Sequence, residues 1–134
     1  MAEQVTPELR EVRATTARGA VGQTVAVGPH RLPADEPFNK GGDDTGPAPH
    51  EFLLAALASC VSMTAQSYAS RKGLVVRSVE VTVNGRHEDG AFIIERHISI
   101  DGDLDEVQRQ RVLEIAGRCP VTRTLSSPIR IVEV

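Results

Sequence analysis

Apolar and polar positions alternate in short runs over Leu9–Thr16 and Gln23–Val27, separated by Arg18-Gly19-Ala20-Val21-Gly22. Alternation with period two on both sides of a glycine-rich break predicts a β-hairpin. Pro29–Pro49 then holds five of the eight prolines, together with Gly41-Gly42 and Asp43-Asp44, and predicts a long irregular loop. Such loops in a folded domain tend to carry function. From Glu51 to Arg71 the period changes. Leu53, Leu57, Cys60, Val61, Thr64 and Tyr68 recur at helical spacing, and Ala55, Ala56 and Ala58 make the other side small and apolar. A helix apolar nearly all round predicts a buried central helix. Pro47 and Pro49 precede it, and Arg71-Lys72-Gly73 ends it with cations in the last turn and glycine beyond.

Alternation returns in Val76–Arg86, where Val79, Val81 and Val83 oppose Ser78, Glu80 and Thr82. It continues in Phe92–Ile100, where Ile94, Arg96, Ile98 and Ile100 oppose Glu95, His97 and Ser99. Glu88-Asp89-Gly90 between them predicts a hairpin turn. Asp103 or Asp105 caps a second helix running to about Arg118, with Cys119 closing the pattern and Pro120 stopping it. Pro128–Val134 predicts a closing strand. The order is β-β-α-β-β-α-β, an α+β fold with antiparallel sheets wrapped on helices. At 134 residues, 1–134 is expected to form a single domain.

Composition narrows the function classes. Only 3% of residues are aromatic, so the core must come from Val, Leu, Ile and Ala. A net charge of -3 with interspersed signs leaves no basic stripe, and no nucleic-acid partner is expected. Met1 to Arg13 is polar and does not read as a secretory leader. No run of about 18 apolar residues stands out, so no membrane span is expected either. A cytoplasmic location follows as the expectation, and there a permanent structural disulfide is disfavoured.

Candidate chemistry rests on two cysteines, each placed on a helix: Cys60 in the apolar run and Cys119 before Pro120. A reactive thiol works as the thiolate, which needs positive charge nearby. Cys60 lies about nine residues into its helix, beyond the first turn where the macrodipole acts, so a cation must come from elsewhere. Both cysteines also fit as small buried hydrophobes, and the pattern alone leaves a redox pair and an inert core open. His30, His50, His87 and His97 are scattered and not at ligand spacing, so no metal and no cofactor is expected. His87 and His97 read as a solvated strand face.

Three motifs, in order, carry a resemblance: Gly42-Asp43-Asp44-Thr45-Gly46-Pro47-Ala48-Pro49, the Leu-Leu-Ala-Ala-Leu-Ala-Ser-Cys run ending at Cys60, and Arg118-Cys119-Pro120-Val121. Together they resemble the OsmC/Ohr family, named for osmotically inducible protein C and organic hydroperoxide resistance protein. Leu32-Pro33-Ala34-Asp35-Glu36-Pro37 and Arg118 to Leu125 are most similar to its OsmC-like branch. The resemblance covers the chain from the first hairpin to Val134.

That resemblance implies a thiol peroxidase acting on organic hydroperoxides, built as an intertwined homodimer. Cys60 matches the peroxidatic cysteine, and Cys119 the thiol that captures its sulfenic acid as a disulfide. A dithiol reductant restores the pair. The family also uses an Arg to stabilise the thiolate and a Glu to hold that Arg. Arg18 in the hairpin turn and Arg31 beside the Leu-Pro-Ala-Asp-Glu-Pro segment are the candidate cations, with Lys40 third. His50 stands where the family has its glutamate, and Glu51 follows one residue, about 100° of helix, later. Glu36 is a further candidate anchor. A non-catalytic or altered-activity binding or stress protein of the same fold is the alternative. Leu53, Leu54, Leu57, Val61, Met63 and Phe38 are the expected lining of an alkyl-binding pocket.

Overall fold

A computed structural model describes residues 9–134. Part of the polar stretch read as no leader, residues 1–8, lies outside the described residues. The fold is mixed α+β, and its contacts divide it into two units, Met1–Phe52 and Leu53–Val134.

The first unit is a three-stranded antiparallel sheet of β1 (Val12–Thr16), β2 (Gln23–Val27) and β3 (His30–Ala34), in that order. The expected hairpin is β1–β2, closed by Ala17 N–H donating to Gly22 O at 2.8 Å. β3 was not expected, because Pro29 and Pro33 made the segment read as loop. Gly28 at φ +55° opens a two-residue turn with Pro29, so Val27 pairs His30 and the chain doubles back. Pro33 is tolerated because β3 is an edge strand of this sheet, where a missing N–H costs no ladder bond.

The remaining loop is organised by one buried carboxylate. Asp35 accepts from Glu36 N–H, Asp43 N–H, Thr45 N–H and the Thr45 hydroxyl at 2.8, 3.3, 3.1 and 2.6 Å. The Thr45 hydroxyl and amide, then the Glu36 and Asp43 amides, outweigh burial and hold Asp35 below the usual carboxylate range.

Helix α1 (Pro49–Arg71) begins two residues earlier than expected and runs into the second unit. There the two-stranded sheet β4 (Val75–Glu88) and β5 (Ala91–Asp103) pairs antiparallel, with Glu88 opposite Ala91. Asp89 and Gly90 both have positive φ, as a two-residue turn matched to strand twist requires. Helix α2 (Glu106–Gly117) starts at the Asp105 cap: Asp105 accepts from Gln108 N–H, and the Gln108 side chain accepts from Asp105 N–H.

The structure differs from the sequence reading in three places here. Pro128–Val134 is not a strand, since its Ile129 and Ile131 alternation meets no sheet edge among the described residues. The second helix, α2, does end before Pro120 as expected, but Pro120 was not expected to open a further helix, α3 (Pro120–Leu125), at its first position, where proline's fixed φ favours a start. Finally, α1 is not buried all round. Only Leu57, Val61, Ala65 and Ala69 are buried, while Leu53 and Met63 are exposed. By length and composition α1 could also cross a membrane, against the sequence reading. Its inner face joins a core of Leu57, Val61, Ala65, Ile100, Val112, Ala116 and Cys119, drawn from α1, β5, α2 and the α2–α3 junction.

Candidate active site

Cys60 and Cys119 come together in the second unit. Cys60 is half-buried on α1, and Cys119 is fully buried. Both are free thiols, and Cys60 is close enough to the Cys119 sulfur to help lower its pKa. Sequence spacing could not show this meeting. It follows from β4 and β5, which return the chain so that α2 ends against α1.

Cys119 occupies the junction of α2 and α3 and acts as the cap of α3. Its sulfur accepts from Thr122 N–H at 3.4 Å and lies 3.1 Å from Thr122 Oγ1. Burial pushes the Cys119 thiol up. The Thr122 hydroxyl and amide, the Cys60 thiol and the Val121 amide outweigh burial and bring it below its ordinary value. Behind Thr122 stands Arg96 of β5, half-buried. Its Nη1 donates to Thr122 Oγ1 at 2.7 Å, and its Nη2 donates to Gly117 O at 2.8 Å. The second contact satisfies a carbonyl at the end of α2, which has no partner within the helix.

Neither Thr122 nor Arg96 was singled out by the sequence. A signal was present for both. Arg96 sits on the same strand face as Ile94, Ile98 and Ile100, and a charge on an inward stripe needs a partner. Thr122 stands three residues after Cys119 across a proline, the spacing of a helix cap and its third residue.

Beside Cys60 an open groove of about 590 Å³ runs along α1, lined by Ala56, Ser59, Met63, Thr64, Ser67, Arg71, Pro120 and Val121. Of the expected alkyl-binding residues only Met63 lines it. Leu57 and Val61 face the core instead, because they lie on the opposite side of the helix.

The remaining candidates lie in the first unit. Arg18 is in the β1–β2 turn, where it lines a hollow of about 270 Å³ with Gln23, Thr24, Pro33 and Thr45. Arg31 Nη1 donates to Gly28 O at 2.8 Å and His30 O at 3.0 Å. Lys40 ends a short 3-10 turn, Phe38–Lys40. His50 is exposed in the first turn of α1. Glu51 does not reach outward: its Oε1 accepts from Ala48 N–H at 2.7 Å, so it caps its own helix. Glu36 O accepts from Asp44 N–H within the Asp35 loop.

A three-stranded and a two-stranded antiparallel sheet, one long helix bearing a thiol and a second thiol at the junction of two shorter helices together describe a known class. The family profile described as OsmC-like protein matches residues 41–133, and the chain belongs to that family. Its fold is similar to that of an OsmC-like protein from Mycoplasma pneumoniae (22% identity, 90% of this chain and 89% of that one, TM-score 0.76). It is also similar to an organic hydroperoxide resistance protein OsmC from Legionella pneumophila (18% identity, 89% and 91% covered, TM-score 0.63). A third likeness is the organic hydroperoxide resistance protein OhrB of Bacillus subtilis (23% identity, 86% and 88% covered, TM-score 0.59). No curated protein matches the chain.

Proposed function

We propose that this protein is a cysteine-based peroxidase that reduces organic hydroperoxides to alcohols, in one OsmC-like domain spanning residues 1–134. The observation that carries it is the contact between two free thiols, one of them at an open groove. Structural neighbours named organic hydroperoxide resistance proteins support the substrate class. The Cys60 thiolate attacks the distal peroxide oxygen. The O–O bond breaks, alkoxide leaves and takes up a proton, and Cys60 becomes a sulfenic acid. Cys119 then attacks the Cys60 sulfur, forming the disulfide and releasing hydroxide. A dithiol reductant returns both thiols and is itself oxidised to a disulfide. Met63 and the small residues along the groove favour an alkyl group, each buried CH₂ contributing up to about 0.8 kcal/mol.

Arg18 or Arg31 is the proposed activating cation for Cys60, as the family resemblance implies, with His50, Glu51 or Glu36 as its anchor. A homodimer is proposed on the exposure of Leu53, Met63, Ile129 and Ile131, apolar surface that a second copy would cover. The cytoplasm is the proposed location.

Consumption of cumene hydroperoxide with dithiothreitol as reductant tests the reading. Wild type should turn over, Cys60→Ser should not, and Cys119→Ser should accumulate a sulfenic acid that dimedone traps. Wild type that consumes no hydroperoxide, or Cys60→Ser that matches it, refutes the assignment.

A further inference from the structure

We propose that Arg96, acting through Thr122, is a positioning residue that prepares the Cys119 sulfur to capture the Cys60 sulfenic acid and to leave when the disulfide is reduced. The inference rests on the peroxidase reading for its catalytic meaning, but its geometry stands independently of it.

The chain of contacts is short and directional. Arg96 can only donate, and its Nη1 takes a lone pair of Thr122 Oγ1 at 2.7 Å. The Thr122 hydroxyl has one proton, and Cys119 Sγ lies 3.1 Å from that oxygen. A guanidinium on the far side makes the oxygen a poorer second acceptor and a better donor, so the hydroxyl proton goes to sulfur. The Thr122 amide points at the same sulfur. Arg96 is itself fixed by Gly117 O, so the hydroxyl is held in one orientation without cost at the moment of reaction.

Other charged groups around the pair are few. Arg118 and Arg123 flank Cys119 in sequence and are exposed, and Arg71 lines the groove on the Cys60 side. The core faces of α2 and β4 bring Val112, Ala116, Val79, Val81 and Val83, all uncharged.

Two asymmetries then agree. Only Cys60 lines the groove and only Cys119 is fully buried, so a reductant thiolate reaches the Cys60 sulfur. Its attack forms a mixed disulfide on Cys60 and sends the electron pair of the broken S–S bond to Cys119. A sulfur that already accepts from Thr122 leaves faster, because leaving ability rises as thiol pKa falls. The second thiol of the reductant then displaces Cys60, and the reductant departs as its own disulfide. In the capture step the same sulfur, as its thiolate, attacks Cys60 sulfenic acid.

The test reads Cys119 directly. In a Cys60→Ser background Cys119 is the chain's one thiol, and thiolate absorbance near 240 nm follows its titration. Adding Arg96→Met or Thr122→Val should raise the midpoint by about one pH unit, a tenfold loss of thiolate at a fixed lower pH. Thr122→Ser keeps the hydroxyl and should restore the parent midpoint. The Arg96→Met/Thr122→Val pair should shift little more than either alone. Unchanged midpoints in folded variants overturn the proposal. If Arg96→Met does not fold, Thr122→Val against Thr122→Ser decides. A shifted midpoint in a protein that consumes no hydroperoxide sinks the peroxidase reading and leaves this one standing.

Discussion

The same deletion, Val→Ala, made at three helical valines should give results of opposite sign. Val61 on α1 and Val112 on α2 are both 0% exposed and lie in one core cluster, whereas Val107 on α2 is 80% exposed. Each change removes the same atoms. At the buried sites the lost transfer free energy is about 1.6 kcal/mol, from roughly 0.8 kcal/mol per carbon removed. The cavity left behind adds about another 1 kcal/mol, because the surrounding core relaxes only in part. Alanine's higher helix propensity returns about 0.5 kcal/mol. The net expectation is a loss of about 2 kcal/mol at Val61 and at Val112. At Val107 only the propensity change remains, so the variant should be neutral or slightly more stable. Urea unfolding under reducing conditions measures all three, with an unchanged slope confirming that the two end states are the same. A loss below about 1 kcal/mol at Val61 would show that the inner face of α1 is not packed on α2. A comparable loss at Val107 would show that burial in this chain is not what separates the three.

Other outcomes follow from the same structure. Arg18→Ala and Arg31→Ala should behave unequally in hydroperoxide turnover, one slowing it by about tenfold (about 1.4 kcal/mol of barrier) and the other changing little; equal, wild-type rates in both would remove the activating-cation argument. Asp35 has a folded pKa held below its unfolded value of about 3.9. Its contribution is therefore present above that value and lost as pH falls through the folded pKa. Asp35→Asn should flatten the acid limb of the melting curve, and an acid limb identical to wild type would rule Asp35 out as its source. Met63→Glu places a charge on the exposed face of α1, and light scattering should report monomer where wild type is dimeric; wild type that is already monomeric at micromolar concentration refutes the dimer.

Local chemistry explains which parts of this molecule were legible. Asp89-Gly90 needs two positive φ values, so its residues announce the β4–β5 turn without help from the rest of the fold. The cap at Asp105 is equally local, since Gln108 three residues on completes it. β3 was hidden because proline usually excludes a strand, and only the sheet order shows that Pro33 lies on an edge. Pro120 had two meanings, stop and start, and the Cys119 cap selects the second. The alternation at Pro128–Val134 suited a strand, but pairing belongs to two segments, and a pattern in one cannot supply the other. At the site, both cysteines were visible in sequence. Their meeting depends on the return path through β4 and β5, and the Arg96–Thr122 support depends on that meeting.

Because the Cys119 sulfur is also the cap of α3, the proposed redox cycle of the pair would set the local stability of a helix end. A thiolate is a charged acceptor for the Thr122 amide, whereas a disulfide sulfur is neutral and a weak one. Oxidation should therefore loosen the first turn of α3 even though it ties Cys119 to α1. The Thr122 amide becomes a built-in reporter: its hydrogen exchange should quicken in the oxidised protein and slow again on reduction. Exchange that is the same in both states would mean that the amide, not the sulfur, holds the turn through its neighbours. If the loosening is seen, the six residues of α3 are the part of the molecule that signals to a reductant or partner which state the thiols are in.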